Sequence, residues 1–356
     1  TLVSLDQKIL FFFPENPFSK RAGNVFRTHT NILQLKSLEC TIDLVGLEEY
    51  YKSFGDTTEN IDKNFINEIY LLKTKPVKNK LTYTFWKHRL IEYYRQKNIY
   101  NAYYTQYLQD QFNEILSKNK YDFIIINYEI WTDLIRNSNL KGAKTIIDTH
   151  DWLTLNEFQN NKSIDVGHKF GEEIRNLSFY DYVLTISNDE NFIFKNFIGE
   201  KVINLPPSLP NNFEESNVSE KQFDLLFVGS DNPFNIEAIN WFLTEVKPLL
   251  PNEIKIVIIG RVCKHISDDS AIEKLPFVED LSYYYQRSKI AICPMLRGTG
   301  IKIKVVEALS YGLPVVGTEK AIDGFLDKKQ NGCLTSNDKE KIAFFITKLL
   351  QDAQYY

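Results

Sequence analysis

Cysteine is scarce in this chain: only Cys40, Cys263, Cys293 and Cys333 occur, scattered without the paired spacing of a zinc or redox site. Reduced thiols in a cytoplasmic setting are the simplest expectation. No hydrophobic stretch approaches the length needed to span a bilayer. The early apolar run Ile9 to Phe13 stops at Pro14, so no basic-then-apolar leader is expected. The protein is therefore expected to be soluble or peripheral to a membrane. Positive charge is also not in excess: the formal net charge is -4, which argues against a nucleic-acid partner, whose recognition usually needs a basic face. No Asp-x-Asp motif follows a strand. Asp268-Asp269, and Asp148 with Asp151, read as loop and strand-end carboxylates, so no metal and no cofactor are expected.

What the chain does have is length and rhythm. Its 356 residues and 43% hydrophobic content suffice for two cores. Short apolar strands are predicted at Lys8 to Phe13, Cys40 to Val45, Phe123 to Asn127, Thr145 to Asp148 and Tyr182 to Ile186, with helical segments between them. After the turn-rich Pro206-Pro207-Ser208-Leu209-Pro210 and the polar Glu214 to Gln222, a second series follows. Its strands are predicted at Leu225 to Val228, Lys255 to Ile259, Ile290 to Cys293, Pro314 to Val316 and Gly332 to Thr335. Strand alternating with helix means parallel sheets with helices on both faces. The expected fold is α/β, two doubly wound Rossmann-like domains facing a central cleft. Residues 1–205 form the first domain, 206–222 a linker, 223–337 the second domain and 338–356 a terminal helix.

The most informative run extends from Pro294 to Val316, Pro-Met-Leu-Arg-Gly-Thr-Gly-Ile-Lys-Ile-Lys-Val-Val-Glu-Ala-Leu-Ser-Tyr-Gly-Leu-Pro-Val-Val. Gly298 and Gly300 permit a tight turn after a strand, and Ile301, Val305, Ala308 and Leu309 recur at helical spacing until Gly312. Such a turn presents backbone N–H groups at a helix N-terminus, where the dipole also favours an anion. Phosphate is the expected ligand. Lys302 and Lys304 lie in the first turn, where cations oppose the dipole unless something anionic offsets them. Glu307 stands one turn after Lys304, and a plain surface ion pair between the two is the alternative.

This segment resembles the donor-site signature of the GT-B glycosyltransferases, specifically the retaining group 1, family 4-like enzymes. The likeness extends to Phe227-Val228-Gly229-Ser230 with Asn232, Asn235 and Trp241-Phe242-Leu243, to Ile256 through Gly260 with Arg261, and to Phe277-Val278-Glu279-Asp280-Leu281 with Tyr284. In the first half, Ile146-Ile147-Asp148-Thr149-His150-Asp151 resembles the strand carrying the family's active-site histidine. Asp181 through Ser187 with Glu190 resembles the last strand before the crossover.

The resemblance implies an enzyme that moves a sugar from a nucleotide-sugar donor to a hydroxyl acceptor, with retention and without a metal. The acceptor would be a bacterial surface polysaccharide, glycolipid or glycoprotein precursor. Gly229, Ser230, Gly260, Arg261, Val278, Leu281, Arg297, Gly298, Thr299, Gly300, Lys302, Lys304 and Glu307 would form the donor site, with Glu307 on the ribose hydroxyls. Negative charge develops on the leaving phosphate, so backbone donors of the turn and nearby cations are what transfer requires. His150 would contact and orient the donor sugar, with Asp151 beside it. Were configuration inverted, Asp151, Asp148 or Glu129 would be the candidate general base. Gly23, Asn24 and Arg27 would form an acceptor-side loop, and the terminal helix would cross back to the first domain. His29 and His88 are expected on the surface or in loops.

Two departures from the family pattern stand out. Thr299 occupies the position of the first of the family's paired glutamates, and Asp231, Asn232 and Asn235 stand where an arginine and a lysine often grip the diphosphate; Arg261, Arg297 and Lys302 are the candidate substitutes. The missing glutamate keeps open a catalytically inactive nucleotide-sugar-binding partner subunit, and the same fold also hosts sugar-nucleotide 2-epimerases. From Lys73 to Lys97 eight lysines and arginines face Glu92 alone, interleaved with Tyr83, Phe85, Trp86, Tyr93 and Tyr94. Residues 73–107 therefore read either as a docking site for an anionic membrane, on the inner face of the plasma membrane, or as a solvated helix with its aromatic rings turned into the core.

Overall fold

The computed structural model describes residues 7–19, 23–58, 61–94, 101, 103–213 and 221–352. The chain divides into two compact units, one of Thr1–Thr154, Ser163–Ile186 and Glu190–Leu205, the other of Leu155–Lys162, Ser187–Asp189 and Pro206–Tyr356.

The first unit runs β1 (Lys8–Phe12), α1 (Gly23–Ser37), β2 (Thr41–Leu47), α2 (Glu48–Phe54), β3 (Glu68–Leu72), α3 (Tyr83–Tyr94), α4 (Gln106–Lys118), β4 (Phe123–Asn127), α5 (Asp133–Arg136), β5 (Lys144–Asp148), α6 (Leu153–Asn160), α7 (Val166–Ser178), β6 (Tyr182–Thr185), α8 (Asn188–Ile198) and β7 (Val202–Asn204), with the later residues of α6 and the first two of α8 grouping with the second unit. Its seven strands are parallel in the order β3-β2-β1-β4-β5-β6-β7. Side-chain parity explains why both faces need helices. Leu10 and Phe12 join one buried cluster, while Ile9, Phe11 and Phe13 join the cluster on the other face.

The second unit continues with β8 (Phe223–Val228), α9 (Pro233–Trp241), β9 (Ile256–Ile259), β10 (Ile272–Leu275), α10 (Ser282–Arg287), β11 (Ser288–Cys293), α11 (Ile303–Ser310), β12 (Val315–Gly317), β13 (Cys333–Thr335) and α12 (Lys339–Gln351). Its parallel order is β10-β9-β8-β11-β12-β13. Again parity splits the core, with Leu225 and Phe227 in one cluster and Leu226 in the cluster on the other face.

In each sheet the strand order reverses between two neighbours, β1 and β4 in the first, β8 and β11 in the second. The loops leaving their carboxyl ends diverge to opposite faces and leave a crevice, the usual ligand position of such sheets.

The buried stripe of α12, Ile342, Ala343, Ile346 and Leu349, lies in the second unit's own core. Within the expected linker, Asn212 N donates to Ser310 O at 2.8 Å, and the Phe213 ring lies where a Cβ on Gly312 would be, 2.5 Å away. Glu214 to Glu220 of the linker lie outside the described residues, as do Arg95, Lys97 and Tyr100 of the basic segment and the last four residues of the terminal segment. Within α3, Tyr83, Tyr93 and Tyr94 are about 80% exposed and Trp86 about half, so these rings are not turned into the core. His88 is the side chain that α3 buries, 5% exposed and edge-on to Tyr107, contrary to the surface position expected for it.

Candidate active site

In the first unit the carboxyl ends of β1, β4 and β5 meet around His150. Both Tyr128, after β4, and His150, after β5, have positive φ, 68° and 62°, a conformation that non-glycine residues adopt at a cost of about 1–3 kcal/mol. That strain turns both rings to the same place. His150 is buried between Tyr128, 4.5 Å between centroids and nearly parallel, and Phe13, at 5.9 Å. Its Nε2 lies 2.7 Å from Asn127 Oδ1 and 3.8 Å from Asp148 Oδ2. Burial, opposed by Asp148 and helped by Arg27, pushes its pKa down to about 4, so the ring is neutral near pH 7.

Arg27 is where the sequence reading fares worst. It lies inside α1, 2% exposed, and its Nε and Nη2 hold Asp148 at 2.8–3.0 Å while Nη1 donates to Leu205 O at 2.7 Å. A guanidinium so buried and so engaged supports the floor of the site rather than a loop over the acceptor. Asn31 adds a hydrogen bond to Asp148 Oδ2 at 2.9 Å. Burial raises the Asp148 pKa, but Arg27, His150 and these hydrogen bonds outweigh it and hold the carboxyl below its ordinary value. Asp148 is thus the buried counter-ion of Arg27, and Glu129, in the turn after β4, is 1% exposed. Asp151 is half-buried and lies close enough to Tyr128 to help burial hold that phenol protonated. Gly23 opens α1 rather than sitting in a loop, and Asn24 reaches the Tyr128 hydroxyl and Glu15 Oε1.

In the second unit β8 and β11 are neighbours, so the loops after them adjoin. Gly229 and Gly260 are required by close packing: a Cβ on Gly260, whose φ is 108°, would sit 2.2 Å from Gly229 O. Asn232 caps α9 by accepting from Asn235 N at 2.8 Å, and Asn235 Nδ2 donates to both Ser230 O and Ser230 Oγ at 3.2 Å. The turn after β11 has Gly298 at φ 113° and Gly300 at φ 66°, and α11 begins at Ile303 with no side chain capping it. Gly298 N donates to Gln159 Oε1 at 2.7 Å, a residue of the same unit.

The cations part ways. Arg261 pairs with Asp231 at 3.0 Å and Arg297 with Glu237 at 2.7 Å. Lys302 is buried and its Nζ donates to Thr299 O and Gly300 O at 3.1 and 2.7 Å, bracing the turn from beneath. Lys304 points to the β8 loop, with Nζ 2.7 Å from Asn235 Oδ1 and 4.5 Å above the Phe227 ring. Burial, with Lys302 adding to it against Cys293, pushes its ammonium down to about 8. No ion pair joins Lys304 to Glu307. Instead Glu307 Oε2 accepts from the Tyr285 hydroxyl at 2.9 Å, Tyr285 stacks flat on Tyr311 at 5.0 Å, and burial raises the Glu307 carboxyl. Val278 and Leu281 pack against the core face that contains Tyr285.

Asn127, Tyr128 and Tyr285 were not singled out from the sequence. Asn127 carried a weak signal, as the polar end of the strand Phe-Ile-Ile-Ile-Asn. Nothing distinguishes Tyr285 from its neighbours Tyr283 and Tyr284.

Two parallel doubly wound sheets, each with its chemical groups gathered at the switch point, define a two-domain α/β molecule of the GT-B class. Residues 222–352 match the model of the family described as glycosyl transferases group 1. The whole chain resembles Anabaena HepE, solved in complex with UDP and glucose, at 13% identity and TM-score 0.66, over 98% of this chain and 91% of that one. Staphylococcus aureus TarM is similar at 11% identity and TM-score 0.70, over 98% and 93%. A Klebsiella pneumoniae protein described as an uncharacterized 44.6 kDa protein in the cps region is 27% identical over 261 residues, 65% of this chain and 66% of the relative. That match spans just under two thirds of the relative's length. An uncharacterized glycosyltransferase of Haemophilus influenzae matches at 26% over 101 residues, 28% of each chain. Residues 222–352 are thus a group 1 glycosyl transferase domain, and the chain as a whole shares the GT-B fold of these solved structures.

Proposed function

We propose that this protein transfers a sugar, with retention and without a bound metal, from a nucleotide-sugar to a hydroxyl of a surface polysaccharide, glycolipid or glycoprotein precursor. The observation that carries this reading is the second unit's switch point, where an uncapped helix, a two-glycine turn, Lys304 and Glu307 converge. Backbone N–H groups and one half-buried ammonium suit a leaving diphosphate. Glu307, held by Tyr285, keeps Oε1 for a diol such as ribose. Lys304 takes the role that Arg261 and Arg297, paired with carboxylates, leave open. Retention is supported by the first unit, where Arg27 removes Asp148 from service as a base. The cps-region relative supports a polysaccharide acceptor.

Calorimetric titration with UDP, GDP, ADP and CMP and their sugar conjugates tests the donor assignment. Selective binding of one nucleotide is expected, and Glu307→Ala should weaken it tenfold or more, the worth of about 1.5–3 kcal/mol for a hydrogen bond to a charged group. Unchanged affinity in that variant removes Glu307 from the ribose role. Nucleotide binding with neither donor hydrolysis nor transfer to any acceptor would favour the inactive partner subunit instead. Anomeric retention is read directly from the product by NMR.

Among the described residues no helix is long and apolar enough to cross a membrane. The exposed Leu81, Tyr83, Leu90, Tyr93 and Tyr94, beside Lys87 and Arg89, support peripheral docking of α3 on the anionic inner face of the plasma membrane. Sedimentation with phosphatidylglycerol vesicles should exceed that with phosphatidylcholine. Reversing Lys87 and Arg89 to glutamate should cut it tenfold or more, since each basic residue adds about 1 kcal/mol. Equal sedimentation with both lipids would end the docking assignment.

A further inference from the structure

Asn127 is the last residue of β4, fully buried, and its amide bridges two strands. Its Nδ2 donates to Phe12 O at 2.7 Å. A backbone carbonyl can only accept, so this bond fixes which way the amide faces. Oδ1 therefore faces His150, 2.7 Å from Nε2. A carbonyl oxygen likewise only accepts, so Nε2 must carry the proton. In the neutral ring Nδ1 is then bare. It is also buried, with no hydrogen-bond partner among the described residues, while the ring around it is held by the flanking faces of Tyr128 and Phe13. A buried acceptor without a partner costs about 1–3 kcal/mol, and the positive φ of His150 adds to that cost. A ligand hydroxyl donated to Nδ1 would offset that cost.

We propose that Asn127 is a positioning residue that locks His150 as the Nε2–H tautomer, and that the bare Nδ1 accepts a hydrogen bond from a neutral hydroxyl of the bound sugar. The ligand part of this rests on the glycosyltransferase reading; the tautomer does not. A hydroxyl satisfies the lone pair, whereas a carboxylate in the same place would set two acceptors against each other. The site thereby selects a sugar that presents a hydroxyl to this ring and rejects one that presents an acidic group. Asp148 Oδ2, 3.8 Å from the same Nε2, can likewise only accept and so does not oppose this tautomer.

The test is two-bond 15N–1H correlation of the imidazoles in the full chain, which has only five histidines, with the His150 signals assigned by their loss in His150→Gln. The expected spectrum at pH 7 shows His150 neutral, protonated at Nε2 and bare at Nδ1. An Nδ1–H tautomer or an imidazolium would overturn the proposal while leaving the glycosyltransferase reading untouched. The second readout is kinetic. Asn127→Ala should lower donor turnover about tenfold, the equivalent of one orienting hydrogen bond, with nucleotide Kd unchanged. Turnover equal to wild type would overturn the positioning role. If Asn127→Ala does not fold, the wild-type spectrum still decides the tautomer.

Discussion

Arg27→Leu is expected to destabilise the protein by about 3–5 kcal/mol, the cost of leaving one member of a buried ion pair without its partner. The guanidinium is 2% exposed and Asp148 is 1% exposed, so water cannot replace the lost bonds. Loss of the bond to Leu205 O adds to the effect, since it ties α1 to the end of the unit. The deficit should depend on pH in a definite direction. In the wild type the Asp148 pKa is held below its unfolded value of about 3.9. Its contribution is therefore present above that value and lost as pH falls through the folded pKa. In the variant burial dominates and raises the same pKa, so protonation of Asp148 relieves the buried charge. Urea unfolding at pH 7 and pH 4.5 should show the gap between wild type and variant narrowing at the lower pH. A gap that is constant with pH would mean that the pair contributes packing rather than charge.

His150→Ala should lower turnover about 100-fold, the scale expected when a group that orients the reacting sugar is lost, while nucleotide affinity stays within about twofold. The separation follows from where the parts reside. Gly298, Gly300, Lys304 and Glu307 belong to the second unit and His150 to the first, so removing the imidazole leaves the anion and ribose contacts intact. Turnover is read from nucleotide release with donor in excess, affinity from calorimetry. A variant with normal turnover ends the role of His150. A parallel loss of both quantities would show that the substitution had collapsed the strained corner at Tyr128 and His150 rather than removed one contact.

How much of this was legible beforehand depended on burial. The central strands β1, β4, β5, β8 and β11 each carry consecutive apolar residues because helices cover them on both faces, and each was placed within two residues of its observed bounds. The strands missed, β3, β7 and β10, are all edges. Glu68-Ile-Tyr-Leu-Leu72 buries only its last residue, and Ile272-Glu-Lys-Leu275 only its first, so neither presents a run that periodicity can detect. The basic aromatic segment was ambiguous for a related reason. Tyr and Trp are compatible with core or surface, and only the packing of α3 on α4 through His88 decided that most of the described rings face outward.

By itself the sequence determined the two parallel α/β domains, the group 1 signature of the second, and the placing of a two-glycine turn after a central strand, because backbone conformation and strand-to-helix rhythm are local properties written in residue order. The tertiary structure alone decided what each charged group does. Arg27 looked like an acceptor contact and proved to be the counter-ion of Asp148; Lys302 braces the turn; Lys304 turns to Asn235; Glu307 is held by Tyr285; and Asn127 sets the proton on His150. Apart from that of Lys302, those assignments rest on partners 22 to 121 residues apart, brought within 3 Å by strand order, and no pattern along the chain encodes which donor will meet which acceptor.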